Sequence, residues 1–231
     1  MTPKVPFEER IIFQNEACIV INKLPGESSE FPGTGEGKEK FPVPVHRLDM
    51  PVSGCLLLAR TPDAAAFLGS AFARHDSKVL KRYWAIIEMP PPDTSFPHEA
   101  ELVHWLYENR KLNKAFAAPW TKEPPPQKGR EAQPKKAVLR YRVTGQGKHY
   151  LFLEIDLVTG RHHQIRAQLA AQGLHVKGDL KYGAKRSEKA GGIRIHAHSL
   201  AFPNPLNPGE SIEAKAMPPL MDTLWAAFAK L

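Results

Sequence analysis

The stretch that decides the fold is Val45–Arg74, "VHRLDMPVSGCLLLARTPDAAAFLGSAFAR". It opens as a polar loop, passes through Gly54 into the continuous apolar run "CLLLA", and ends in a helix signature. Four to eight apolar residues bounded by turn chemistry describe a strand covered on both faces. Thr61 is the helix N-cap, Pro62 its first residue, and Asp63 places an acid in the first turn. The loop leaves Asp49 between the basic pair His46-Arg47 and the apolar strand. An aspartate there can cap a turn by accepting neighbouring N–H groups, and a surface pair with Arg47 would contribute little.

Outward from this stretch the chain stays strand-rich. "RIIFQNEACIVINKLPG" gives two short strands around a turn at Gln14 to Glu16, ended by Pro25-Gly26. "KVLKRYWAIIE" alternates as a strand, and "MPPPDTSFP" is a loop because its prolines cannot donate to a ladder. "YLFLEIDLV" puts Leu151, Leu153, Ile155 and Leu157 on one face, followed by "TGRHHQIRAQLAAQG", a helix with Thr159 as N-cap and Gly173 as stop. "GIRIHAHSLAFPNP" alternates again, and Leu220, Leu224 and Phe228 recur at helical spacing near the end. Strands with interspersed helices, without regular βαβ alternation, predict an α+β fold: a mixed, largely antiparallel sheet with flanking helices and loops. Residues 1–231 read as a single catalytic domain in which a two-lobed subdivision is possible. Between Pro119 and Lys136 lie five prolines and five basic residues against two acidic ones, an exposed basic loop insertion that either contacts RNA or is simply solvated.

Composition narrows the function. The chain has 231 residues, 42% of them hydrophobic, and 32 basic against 24 acidic residues give a net charge of +8. That balance favours a polyanionic partner. Cys18 and Cys55 both sit in apolar settings without metal or redox spacing, so they predict buried free thiols and a reducing, cytoplasmic location. The start lacks the apolar core of a signal peptide, and no apolar run reaches membrane-spanning length. The glycine-rich "FPGTGEGKEKFPVPV" fails as a phosphate loop: Pro32 stands where the first glycine belongs and Glu39 where Ser or Thr must follow the lysine.

The second basic cluster, Arg161 to Arg166, opens the predicted helix, whose first-turn N–H groups suit a phosphate. His162, Ile165, Arg166 and Leu169 would share one helical face. A buried Arg166 needs a carboxylate, and Asp49 is a candidate.

With these residues in view, "HRLDMPVSGCLLLAR" resembles the catalytic motif of RluA-like RNA pseudouridine synthases, HRLD, a variable pair, TSG and an apolar run. "IVINKLPG", "KVLKRYWAIIE" and "LVTGRHHQIRAQL" resemble three further family motifs in the expected order, and "KGDLKYGA" and "IRIHAHSLAFPNP" look like two more. The resemblance spans about Ile19 to Pro205. Val52 replaces the usual Thr, Met50 a frequent Arg, and Leu24-Pro25 departs from the commoner NKPxG, differences that bear on substrate choice. It implies the pseudouridine synthase catalytic fold without the S4 RNA-binding domain of many relatives, and isomerisation of specific uridines in rRNA or tRNA with no cofactor and no metal. By the same resemblance Asp49 is the catalytic carboxylate, Tyr83 stacks on the target base and helps to remove its C5 proton, and Arg166 completes the catalytic set. His46, Arg47 and Arg161 face RNA, with Arg47 filling the place of the extruded base. A monomer is expected, with no membrane partner. Two alternatives stand beside this: an RNA-binding protein of the same fold without turnover, and a metal site built from His196, His198 and the pair His162-His163, for which no carboxylate or thiol completes a known spacing.

Overall fold

A computed structural model describes residues 5–30, 42–74, 78–92, 96–125, 133–189 and 191–230. The glycine-rich stretch 31–41 and the middle of the proline-rich insertion, 126–132, lie outside the described residues. The chain divides into two compact units, one of Met1–Tyr83, Ala190–Gly192 and His196–Lys230, the other of Trp84–Lys189 with Ile193–Ile195.

The first unit contains β1 (Ile11–Gln14), β2 (Cys18–Lys23), β3 (Val43–Pro44), β4 (Ser53–Ala59) and α1 (Pro62–Ala73). It later receives β10 (Ile195–Pro203), β11 (Ser211–Lys215) and α3 (Thr223–Phe228). Its strands run in the order β1-β2-β4-β10, with β3 also on β4 and β11 on β10. All these pairs are antiparallel except β4 with β10. Asn15 makes the β1–β2 turn by accepting the Ala17 and Cys18 N–H groups at 2.9 and 2.8 Å. Every residue of β4 is buried, and Cys55 and Leu57 pack with Val20, Phe202 and Leu68 of α1. Thr61 caps α1 by accepting the Ala64 N–H at 3.2 Å, with Pro62 in the first turn, as expected. Cys18 and Cys55 are free and buried, and burial pushes their thiols up to about 11 and about 12, outside the reactive range.

The C-terminal helix departs from expectation. Leu220 lies outside α3 and is exposed, while Trp225 and Phe228 supply the buried face, with Asp222 accepting the Trp225 N–H at 3.1 Å as N-cap. The aspartate fixes the helix start two residues beyond Leu220, which rotates that leucine out of the stripe.

The chain leaves the first unit along β5 (Leu80–Glu88) and builds the second from β6 (Glu99–Asn109), β7 (Lys114–Pro119), β8 (Lys135–Gln146), β9 (Tyr150–Leu157) and α2 (Gln164–Ala171). Here the order is β9-β8-β6-β7, antiparallel throughout. Asn113, with φ of 46°, turns the β6–β7 hairpin, and Asn109 Oδ1 accepts the Leu112 N–H at 3.1 Å. α2 packs over Leu106, Ala115 and Ala137 through Ala167. Small side chains at this contact allow a close approach of helix to sheet. The ends of the proline-rich insertion are strand, Pro119 closing β7 and Lys135 opening β8. Mixed strand directions and few helices match the predicted α+β class. Among the described residues no helix is long and apolar enough to cross a membrane.

Candidate active site

Gly54 sets the position of the HRLD loop. Its φ is +116°, and a Cβ there would collide with the backbone of Ala197, its parallel partner in β10. Only glycine combines that backbone conformation with that closeness. The loop before it is braced at nearly every residue. Leu48 N–H donates to Ser29 Oγ, and that hydroxyl donates to the Leu48 carbonyl, both at 2.9 Å. The Met50 carbonyl accepts from Gly26 N–H at 2.7 Å and from Lys23 Nζ at 3.2 Å, and Val52 N–H closes the turn on the Asp49 carbonyl at 3.0 Å. Asp49 is therefore presented half-buried on a turn whose backbone is fixed from three sides.

Lys23 lies fully buried behind this turn, its Nζ also donating to the Leu24 carbonyl at 2.9 Å. Burial lowers its pKa to about 8, opposed by the charges of Glu27 and Asp49. Tyr83, at the point where β5 leaves the first unit, is buried; burial and then the Asp49 charge push its phenol well above the ordinary range. It is held protonated, and its flat ring suits stacking.

His46 and Arg47 diverge. His46 Nε2 accepts the Leu57 N–H at 3.1 Å, and its ring stacks on Phe72 of α1 with centroids 5.1 Å apart. Burial, with Lys81 adding to it, lowers its pKa to about 3. It is a neutral strut between loop, β4 and α1. Arg47, the next residue, is exposed.

In the second unit the expected helix start moves. The N-cap of α2 is His163, in the left-handed conformation at φ 51°, and not Thr159. Thr159 instead ties β8 to the turn: its hydroxyl accepts from Val138 N–H and donates to Gln164 Oε1, at 2.9 and 2.8 Å. Gln164 Oε1 also accepts the Arg161 N–H at 3.0 Å, while Arg161 Nε donates to the Lys136 carbonyl at 3.4 Å. Arg161 thus precedes the helix, with its backbone donor satisfied inside the chain. His162 also lies before the helix and shares no helical face with Ile165, Arg166 and Leu169.

Arg166 is buried, and Asp179 receives it bidentately, Nε to Oδ2 at 2.6 Å and Nη2 to Oδ1 at 2.8 Å. The guanidinium carbon lies 4.8 Å from the centre of the Tyr182 ring. The Tyr182 hydroxyl is itself fixed by the Ala115 N–H at 2.8 Å and by His163 Nδ1 at 3.0 Å. One edge of the arginine is thereby locked in direction. Asp179 and Tyr182 are the partners of Arg166 that the sequence does not assign; their signal is "GDLKYGA", a polar motif too hydrophilic to be core yet buried at both positions. The histidines of β10 are structural. His196 uses both ring nitrogens, on Ser53 Oγ and the Ala216 carbonyl, each at 2.9 Å, and His198 Nδ1 meets the same carbonyl at 2.9 Å.

The first unit thus offers Asp49 on a braced turn and a buried, protonated phenol, and the second an arginine anchored twice. Residues 18–171 match the family described as RNA pseudouridylate synthase, and the chain belongs to that family of isomerases acting on RNA. Within it the chain is RluA-like, as the HRLD and TGRHHQIR segments expect. An uncharacterized RNA pseudouridine synthase of Zymomonas mobilis is 32% identical over 169 residues, covering 71% of this chain and 68% of the relative. The ribosomal large subunit pseudouridine synthase D of the same organism is 28% identical over 251 residues, covering 96% and 72%. The solved structure of human RNA pseudouridylate synthase domain containing 4 shares the fold with a TM-score of 0.72 at 20% identity, covering 97% of this chain and 93% of that one.

Proposed function

We propose that the enzyme isomerises specific uridines of rRNA or tRNA, with Asp49 as the carboxylate that acts on the flipped nucleoside. The N1–C1′ bond breaks, a C5–C1′ bond forms, the C5 hydrogen leaves as a proton and N1 takes one up, so no redox partner or cofactor is called for. The observation that carries this reading is the bracing of the Asp49 turn by Ser29, Gly26 and Lys23. A carboxylate held in one geometry before substrate arrives needs no reorganisation during the reaction.

In this reading Tyr83 is the flat floor on which the base stacks, and it helps to remove the C5 proton. Arg166, with Nε and Nη2 fixed by Asp179, is the arginine that completes the catalytic set. Extruding a stacked uridine costs a few kcal/mol, and the exposed guanidinium of Arg47 fills the vacated space and contacts phosphate. Arg161 adds positive charge for the RNA backbone, while His46 contributes to RNA binding by fixing the direction of Arg47. Ribosomal RNA as a carrier is supported by the relative named for the large subunit. The enzyme acts as a cytoplasmic monomer. Tritium release from RNA carrying C5-labelled uridine is the test. Wild type releases tritium, and Asp49→Asn binds the same RNA but releases essentially none; turnover in that variant equal to wild type overturns the assignment.

A further inference from the structure

The second unit carries a feature the isomerisation site does not use. Along β6 the buried residues Leu102, His104 and Leu106 alternate with half-buried Trp105 and Tyr107. The buried set faces α2. Trp105 and Tyr107 therefore stand on the opposite face of the sheet, where the register pairs Tyr107 with Phe116 of β7 and Trp105 with Lys136 of β8. Tyr107 and Phe116 stack with centroids 5.6 Å apart at 18°, and Trp120, 40% exposed, lies 4.3 Å from Trp105. Trp105 is fixed by donating from Nε1 to the Thr121 carbonyl at 3.1 Å. The Lys136 ammonium sits over the outermost ring, Nζ 4.7 Å from Trp120, while Lys114 Nζ at the strand end lies 5.5 Å from Phe116 and 4.8 Å from Tyr182. Of the carboxylates nearby, Glu101 is neutralised by Arg140 at 2.7 Å, and Glu123 lies in the exposed chain beyond Trp120.

We propose that this face, built from Trp105, Trp120, Tyr107, Phe116 and Lys136, is a stacking platform for single-stranded RNA flanking the modified uridine. Rings on a sheet face with an ammonium group over one of them supply what unpaired nucleotides need, π-surfaces for bases and a cation for phosphate. A protein partner would be expected to bury the tryptophans without calling for a lysine poised over one of them. The inference rests on RNA being the substrate, and it adds a second point of attachment outside the reacting nucleoside.

The test uses the whole chain and oligouridylate as probe, with an oligouridylate–oligoadenylate duplex beside it. Trp120→Ala weakens single-strand binding by about tenfold, the effect of losing one stacked base, and Trp120→Phe restores most of it. Binding of wild type quenches tryptophan emission, and Trp120→Phe loses part of that quench while retaining affinity. Lys136→Ala lowers the slope of log affinity against log salt by about 0.7, one phosphate on a single strand. Single-strand affinity for Trp120→Ala within about twofold of wild type overturns the proposal. So does a change in self-association with RNA affinity intact, which would mark the face as a protein interface. Tritium release is measured separately, so a chain that binds through Trp120 but turns over no RNA refutes the proposed function and leaves the platform standing.

Discussion

Removing the carboxylate of Asp179 tests how the second unit holds its arginine. The Arg166 and Asp179 side chains are 5% and 1% exposed, so water cannot replace the two hydrogen bonds of 2.6 and 2.8 Å. Breaking a buried pair from one side leaves an uncompensated charge, a loss of about 3–5 kcal/mol. For a chain of this length each kcal/mol shifts Tm by roughly 2–4 °C, so Asp179→Ala should melt about 6–20 °C below wild type. The ring of Tyr182 remains against the guanidinium and keeps the loss towards the lower end. Asp179→Asn retains one acceptor and falls between. The decisive measurement is a double-mutant cycle in urea: the charge-free pair Arg166→Met with Asp179→Leu should recover at least about 2 kcal/mol relative to the sum of the single losses. Displacement of the guanidinium should also lower tritium release on the order of 100-fold where the protein remains folded. Losses in the single variants below about 1 kcal/mol and additive in the double would refute the reasoning, since buried charges left without partners cannot be so tolerated.

Two further outcomes follow from the first unit. Gly54→Ala sets a left-handed strain of about 1–3 kcal/mol against a collision with the Ala197 backbone, so it should lower stability by on the order of 3 kcal/mol or more and displace Asp49; a Tm equal to wild type would show that β4 and β10 are not so close. Acid should destabilise the fold through histidines held neutral: His46 and His196 have folded pKa values of about 3 and about 4 against 6.5, both lowered chiefly by burial. Because the unfolded chain binds the protons the fold refuses, the stability is fully present above about pH 6.5 and is lost as pH falls towards those values, about 3 kcal/mol from His196 alone. Urea midpoints at pH 7.5 and 4.5 measure it, and a His196→Asn variant with an undiminished acid loss would remove His196 as a cause.

The sequence by itself determined the local elements whose signals are self-contained. Thr61-Pro62-Asp63 starts α1, the run Cys55–Ala59 forms a buried strand, and Pro25-Gly26 ends β2. It also carried the family motifs, because an HRLD loop followed by TGRHHQIR is specific in residue type and order. What only the tertiary structure decided is partnership. Thr159 has the chemistry of an N-cap, yet Val138 and Gln164 compete for its hydroxyl and win, so α2 begins at Gln164. Arg166 announces that it needs a carboxylate, but nothing local says that Asp179, thirteen residues away, takes two of its nitrogens. The rings of Trp105 and Trp120 are far apart along the chain and meet only because the β6–β7 hairpin brings them together. Capping and alternation act over a few residues and can be read in order; hydrogen bonds and ring contacts in a buried sheet are settled by which strands lie side by side.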